Sequence, residues 1–287
     1  MATTGELLSR PALPSDREAV MEFLSLIGQG EDYVADVWDE WLEDRTGFLA
    51  SAVVGGRAVG LSHLIDLGHG EWWLEGLRVD PRLHGRHIGS HLHEYQVEQW
   101  LATDGTVVRL VTRRDRSAVH RMCAKTGFAR TATVSELSFE AADGGHRFQS
   151  VVPEEADRAV PRLLASPAHT GMGGLMDLGW RFARIEDDRI AAAAREGRLW
   201  TWGKGEGLLA TRFEEGSEGR MLAVSAIAPP ERDVPDFLQD IPRLARSMGT
   251  RNGLWLAPEP LPDLGDLARA GYHPEPSDPL WIFERRR

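Results

Sequence analysis

Apolar positions along the chain follow two different periods, and the change between them marks out the elements. Val20, Phe23, Leu24 and Ile27 recur at helical spacing behind Ser15 and Glu18, a capping-box pair, which predicts a helix over residues 15–27. Val34, Trp38, Trp41 and Leu42 form one face of a second helix over 31–42. The runs then shorten. Residues 48–54, 58–66 and 71–79 are rich in apolar side chains and separated by glycines, which predicts three strands in a meander, Gly55-Gly56 being a hairpin turn. A helix is expected over 88–103, a buried strand over 107–112, a short helix over 117–126 closed by Gly127, and an alternating strand over 131–139.

The second half repeats this order. Helices are expected over 153–164 and 185–195, a second meander over 199–203, 207–213 and 221–227, then a helix over 234–248, a strand over 253–256, a helix over 264–270 and a final strand over 280–284. Ala141-Ala142-Asp143-Gly144-Gly145 reads as a linker, so two domains are expected, residues 1–141 and 146–287. The fold class is α/β of the α+β kind: a mixed, mostly antiparallel sheet flanked by helices, occurring twice.

A chain of 287 residues is long enough for two such cores. Its net charge of −11 argues against nucleic acid and against an anionic membrane surface as partners. No run is apolar enough to span a bilayer, and the start lacks a charged-then-apolar leader, so a soluble, cytoplasmic protein is expected. A single cysteine, Cys123, excludes an internal disulfide and a cysteine-rich zinc module.

The chemistry concentrates in EWWLEGLRVDPRLHGRHIGSHLH, from Glu71 to His93. A strand ends at Val79, Asp80-Pro81 stops it, and a short loop opens a helix near Ile88. Such a loop gathers free backbone N–H groups at the positive end of a helix, and Gly85 and Gly89 admit close approach of a phosphate. An ordinary tight turn would share these features.

The stretch resembles the signature of the GCN5-related N-acetyltransferases (GNAT), Val-x-Pro-x-x-(Arg/Gln)-Gly-x-Gly-x-Gly/Ala, written here Val79-Asp80-Pro81-Arg82-Leu83-His84-Gly85-Arg86-His87-Ile88-Gly89. A later signature, Leu-Tyr-x-Lys-x-Gly-Phe, aligns with Met122-Cys123-Ala124-Lys125-Thr126-Gly127-Phe128, and the element order of residues 5–139 matches that fold. The resemblance implies two tandem GNAT-like domains, the second degenerate. It also implies acetyl-CoA as co-substrate, held by Leu77, Arg78, Val79, His84, Gly85, Arg86, His87, Ile88, Gly89 and Ser90. Glu75-Gly76-Leu77-Arg78-Val79, with Asp32-Tyr33 and Trp41-Leu42, is similar to the vertebrate histidine N-acetyltransferase group. Three positions depart from the family. His84 stands for Arg or Gln, His87 for a glycine, and Cys123 for the tyrosine that often protonates the leaving thiolate.

Strand alternation places Trp73, Glu75, Leu77 and Val79 on one face. Family resemblance makes Glu75 the catalytic base; its residue type also suits an ammonium ligand or an arginine partner. Cys123 holds the position of the catalytic acid, and a small buried hydrophobe would fit there equally. Asp32, Tyr33, Trp38 and Trp73 are the candidate substrate wall, an acid among aromatics suiting a cationic amine, although the tryptophans fit a helix core as well. His84, His87, His91 and His93 cluster in sequence without a carboxylate or cysteine to complete a zinc set, so no metal is expected. In the second half the corresponding loop, residues 227–233, has two prolines and two acids, a poor phosphate cradle. The resulting expectation is an acetyl-CoA-dependent N-acetyltransferase acting by direct transfer on a small-molecule amine, with an amino acid such as histidine first. The alternative is a non-catalytic acyl-CoA-binding or protein-interaction module of the same fold.

Overall fold

The computed structural model describes residues 5–28, 32–216, 219–260 and 264–287. In order, the elements are β1 (Leu7–Pro11), α1 (Arg17–Leu24), α2 (Val34–Glu43), β2 (Phe48–Val54), β3 (Arg57–Asp66), β4 (Glu71–Val79), α3 (Ile88–Ala102), β5 (Val107–Arg113), α4 (Ser117–Lys125) and β6 (Ala129–Glu140). There follow β7 (Phe148–Ser150), α5 (Ala159–Ala165), α6 (Pro167–Thr170), β8 (Leu175–Asp177), β9 (Phe182–Arg184), α7 (Asp187–Arg195), β10 (Leu199–Trp202), β11 (Gly207–Gly216), β12 (Gly219–Ala228), α8 (Val234–Ser247), β13 (Asn252–Pro258), α9 (Leu264–Arg269), β14 (Tyr272–Pro274) and β15 (Leu280–Arg286). Among the described residues no helix is long and apolar enough to cross a membrane.

Two compact units emerge, and a single cut in the chain does not separate them. One comprises Met1–Leu110, Ser117–Ala129 and Phe283–Arg287; the other comprises Val111–Arg116 and Arg130–Ile282. The expected division at residues 141–146 therefore differs from the compact units at the chain's end. The last five residues pack with the first unit. Charge holds them there: fully buried Arg109 on β5 donates from Nε to Glu284 at 2.6 Å and from Nη1 to Glu71 on β4. Arg285 donates to the Thr126 carbonyl at 2.8 Å, beyond the end of α4.

In the first unit β1-β2-β3-β4 form an antiparallel meander, and β5 joins β4 in parallel. Two cores lie against it. One packs Val20, Phe23, Trp38 and Trp41 of α1 and α2 with Leu49 and Leu61; the other packs Ile88 and Leu92 of α3 with Ala50, Ala52 and Val59. Buried Gln96 pins α3 to the sheet by donating to the carbonyls of Phe48 and Ser62, 3.0 and 2.8 Å away. The capping box expected at Ser15 does not form. Asp16 acts there instead: its carboxylate accepts the Leu13 N–H at 2.9 Å and is forked by Arg10 at 2.7 and 2.8 Å, and α1 starts after a 3-10 turn.

The second unit repeats the plan. β10-β11-β12 form an antiparallel meander, β13 joins β12 in parallel, and β13 pairs with β6. The short hairpin β8-β9 and the helix α6 were not expected. Each parallel pair is brief. β4 and β5 are in register from Glu71/Val107 to Trp73/Arg109, and β12 and β13 from Leu222/Gly253 to Val224/Trp255. A register shift accompanies each. In β4, Leu61 pairs with Arg78 but His63 with Glu75; in β12, Ala210 pairs with Ala226 but Thr211 with Val224. One extra residue in the longer strand is a β-bulge, which turns the side chains beyond it to the opposite face.

Candidate functional site

The bulge in β4 decides which side chains can meet. Gly76 has φ +64°, and a Cβ there would lie 2.5 Å from the Trp41 ring. Only glycine permits both the left-handed backbone and that approach. Beyond the bulge the faces exchange. Leu77 and Val79 pack with the α3 core, Val79 Cγ2 lying 3.6 Å from where a Gly89 Cβ would stand. Glu75 and Arg78 point the other way, toward α2. The expected single face of Glu75, Leu77 and Val79 is thus corrected, because strict alternation does not survive an inserted residue. Trp73 and Glu75 do share a face, as their partners Ile65 and His63 do.

Directly across from Glu75 on β3 is His63, fully buried, with Nδ1 donating to Glu75 Oε1 at 3.1 Å. Its Nε2 lies 3.5 Å from Asp44 Oδ2. One imidazole therefore stands between two carboxylates, each keeping only a small solvent-facing fraction, 12% for Glu75 and 17% for Asp44. Trp41 stacks on the imidazole at 4.6 Å and 17°. Gly47 makes the approach possible: a Cβ there would fall 2.5 Å from Asp44 Oδ2 and 2.8 Å from His63 Nε2. Burial alone would raise the Asp44 carboxyl, but hydrogen bonds from Thr46 and the charge of His63 outweigh it and hold it below the usual range.

Neither His63 nor Asp44 was singled out from sequence. His63 was within reach, since counting back through the turn between β3 and β4 sets it opposite Glu75. Asp44 was not, because it arrives from the end of α2.

The remaining predicted residues are dispersed. Arg78, expected at the cofactor, donates to Asp32 Oδ2 at 2.6 Å and covers the Tyr33 ring at 5.5 Å. Asp32 is accordingly neutralised and also accepts the Val34 N–H at 3.0 Å. Tyr33 is half-exposed and meets Trp41 edge-on at 6.1 Å. Trp38 and Trp73 are core residues, at 0% and 1% exposure, and form no open wall. Cys123 is fully buried in α4, where desolvation pushes its thiol up to about 12. At that value it is a weaker acid than an ordinary thiol of about 8.5, so passing its proton to a leaving thiolate would run uphill.

The loop ahead of α3 has the other half of the site. His84 N–H closes a turn onto the Pro81 carbonyl, and the next donation is from His91 N–H to the His87 carbonyl at 3.0 Å. Between them, the amides of Gly85, Arg86, His87, Ile88, Gly89 and Ser90 have no acceptor among the described residues. His87 takes the place of a glycine by adopting φ +60°, a strained conformation for a residue with a Cβ, and Gly85 has φ +77°. Ile88 itself is a core side chain, so only its backbone faces out. The His84 ring turns back to donate from Nε2 to the Val79 carbonyl at 3.2 Å. Arg82 is held by Asp80 and Glu22, and Arg86, also exposed, has no ion pair among the described residues. The four clustered histidines separate: His91 bonds Ser9 at 2.7 Å and His93 bonds Thr126 at 2.8 Å. Among the described residues no group of three or more His, Cys, Asp or Glu side chains is arranged to hold a metal ion.

The first unit thus has a helix head whose first amides lack acceptors among the described residues, and two parallel strands that part after three residues. Residues 17–128 match the acetyltransferase (GNAT) family. No curated protein matches the sequence. Among solved structures, a GCN5-related N-acetyltransferase from Sphaerobacter thermophilus superposes with TM-score 0.65 at 12% identity, covering 98% of this chain and 95% of that one. A tandem GNAT protein from the clavulanic acid biosynthesis pathway gives 0.59 at 13% identity, with 98% of each chain covered. A GCN5-related N-acetyltransferase from Kribbella flavida gives 0.53 at 16% identity, over 100% of this chain and 72% of that one. At such identities the likeness shows the fold: a mixed sheet with flanking helices, of GNAT type, along nearly the whole chain.

In the second unit the equivalent loop is built differently. The Ile227 N–H donates to His169 Nε2 at 3.0 Å, Pro229 and Pro230 have no N–H, and Asp236 occupies the first turn of α8.

Proposed function

We propose that this chain is an acetyl-CoA-dependent N-acetyltransferase that acts through its first unit on the amine of a small molecule, an α-amino acid such as histidine being the leading acceptor. The carrying observation is the run of partnerless amides from Gly85 to Ser90 at the head of α3. Six N–H groups with the helix dipole behind them suit a pyrophosphate. Acetyl-CoA, when bound, supplies an activated thioester. Gly85, Arg86, His87, Ile88, Gly89 and Ser90 would hold its phosphates, and the backbone of Leu77 and Val79, past the point where β5 leaves β4, would take the pantetheine as an added strand.

Glu75 is the proposed base. In this reading it would take one proton from the acceptor's ammonium and leave a neutral amine; with acetyl-CoA bound, forming the amide C–N bond would break the thioester C–S bond, and the second amine proton would pass to the departing sulfur so that CoA leaves as the thiol. The His63 Nδ1–H holds the Glu75 carboxylate in one orientation, and Asp44 stands at the other ring nitrogen and fixes the plane of the imidazole. His63 and Asp44 are positioning residues in this reading. Arg78 shares a face with Glu75 across the bulge but is paired with Asp32 at 2.6 Å, so an amino-acid acceptor's carboxylate would have to share Arg78 with that carboxylate. The second unit, with its prolines and acids at the corresponding loop, is proposed not to bind acetyl-CoA in this way.

Calorimetric titration of the full chain with acetyl-CoA, followed by thiol detection across a panel of amino acids and simple amines, tests the proposal. Micromolar binding and amine-dependent thiol release support it; binding without release points to the non-catalytic module, and no binding up to about 1 mM refutes the cradle.

A further inference from the structure

The strand edge proposed to take the pantetheine already has a partner from its own chain. β4 lies between β3 and β5, and its pairing with β5 ends at Trp73/Arg109. Val79 stands opposite Gly60 of β3, and the next N–H, that of Asp80, donates to the Val59 carbonyl of β3 at 2.9 Å. Across a trans peptide the carbonyl of one residue and the N–H of the next point in opposite directions. The Val79 carbonyl therefore points away from β3, to the side that β5 has left. The Val79 N–H shares that side, because the two backbone groups of one residue in an antiparallel ladder face the same neighbour. Together they make an edge on which an extended chain bearing amides pairs as an added strand.

His84 occupies that edge. Its ring donates from Nε2 to the Val79 carbonyl at 3.2 Å. The N–H of an added strand would approach the same oxygen to about 2.9–3.0 Å. The imidazole thus competes for it twice, as a donor and by the volume of the ring behind that donor. Its hold is reversible. The side chain is exposed, and the bond to Val79 is the one side-chain hydrogen bond it makes among the described residues. The backbone of His84 is fixed separately, its N–H closing the turn onto the Pro81 carbonyl. The ring therefore leaves Val79 by rotation about its side-chain bonds, without disturbing the amides from Gly85 to Ser90.

We propose, resting on the acetyl-CoA reading above, that His84 is a latch that sets specificity at this site: it must release the Val79 carbonyl before a pantetheine arm pairs with β4, and it leaves the amide cradle free throughout. Affinity for a ligand with that arm falls in proportion to the fraction of molecules whose latch is open, whereas a nucleotide that uses the cradle alone does not meet the latch. A neutral hydrogen bond of this kind corresponds to about a three- to tenfold change in affinity.

Calorimetric titration of the full chain and of its His84→Ala variant with two ligands is the test: acetyl-CoA, and 3′-phospho-ADP, which has the pyrophosphate and lacks the arm. His84→Ala changes an exposed side chain, so the melting temperature should stay within a few degrees of the parent. The variant should bind acetyl-CoA about three- to tenfold more tightly, and the nucleotide within about twofold of the parent. Equal or weaker acetyl-CoA affinity, or tightening of both ligands alike, would overturn the latch and leave the acetyl-CoA reading standing; weakening of both would give His84 to the phosphates instead. Failure of parent and variant to bind either ligand up to about 1 mM would overturn the acetyl-CoA reading itself, and the latch with it.

Discussion

His63 donates to Glu75 across 3.1 Å from the neighbouring strand, and its other ring nitrogen faces Asp44. A carboxylate so held is oriented before any substrate arrives. Glu75→Gln keeps the size and a hydrogen-bonding oxygen but removes the proposed base. Turnover, followed by thiol release, should fall about 10²–10⁴-fold, while acetyl-CoA affinity by calorimetry stays within about twofold. Unchanged turnover would assign the base elsewhere.

In the proposed mechanism Asp44 acts only through His63, so its signature is a pH profile. Asp44→Asn removes a negative charge beside the ring, which disfavours the protonated forms of the His63–Glu75 pair. The acid limb of kcat/KM should move to lower pH, with turnover falling about tenfold. A uniform loss of activity with the limb unmoved would mean that Asp44 merely supports the fold.

The α3 cradle depends on close approach. A Cβ at Gly89 would meet Val79 and Leu77 at ordinary distances, 3.6 and 3.9 Å, so the fold tolerates a side chain there. Gly89→Trp should leave the melting temperature within a few degrees and weaken acetyl-CoA binding about tenfold or more. Normal binding in a folded variant would place the phosphates away from this loop.

Buried histidines set the acid stability. His93 is lowered to about 4, chiefly by desolvation, and His169 is lowered for the same reason. His169 is also held in one tautomer, donating from Nδ1 to the Leu175 carbonyl at 2.8 Å and accepting the Ile227 N–H at Nε2. With folded-state values below the unfolded 6.5, the unfolded chain binds more protons as pH falls. The contribution of these two histidines is therefore full above about pH 6.5 and declines toward pH 4. For His93 the span corresponds to about 3 kcal/mol. Denaturant melts across this range should show the decline, and His93→Gln should flatten it; an equal slope in the variant would refute the assignment.

The Glu71–Arg109–Glu284 cluster ties the chain's last residues into the first unit. Arg109→Met would take the cation from between buried Glu71 and Glu284, of which Glu284 keeps Arg286, and a loss of about 3–5 kcal/mol is expected in chemical denaturation. A loss under about 1 kcal/mol would show that apolar packing alone holds residues 283–287 in place.

Local patterning determined most of the elements. The strands Phe48–Val54 and Glu71–Val79 were readable because apolar runs bounded by glycine admit few alternatives, and the helix from Ile88 because a glycine-bearing loop precedes an apolar helical face. The amide cradle belongs to that same category, since consecutive residues build it. What tertiary structure alone decided was pairing. A one-residue bulge at Gly76 reassigned Arg78 from the cofactor's face to the side of Asp32 and Tyr33, and no periodicity announces an insertion. Asp44 reached His63, and Glu284 reached Arg109, through chain paths whose ends meet only when the sheet has formed. Tryptophans at 38 and 73 were ambiguous for a related reason: an aromatic side chain serves a core or a pocket equally well, and burial, settled by the whole fold, chose the core.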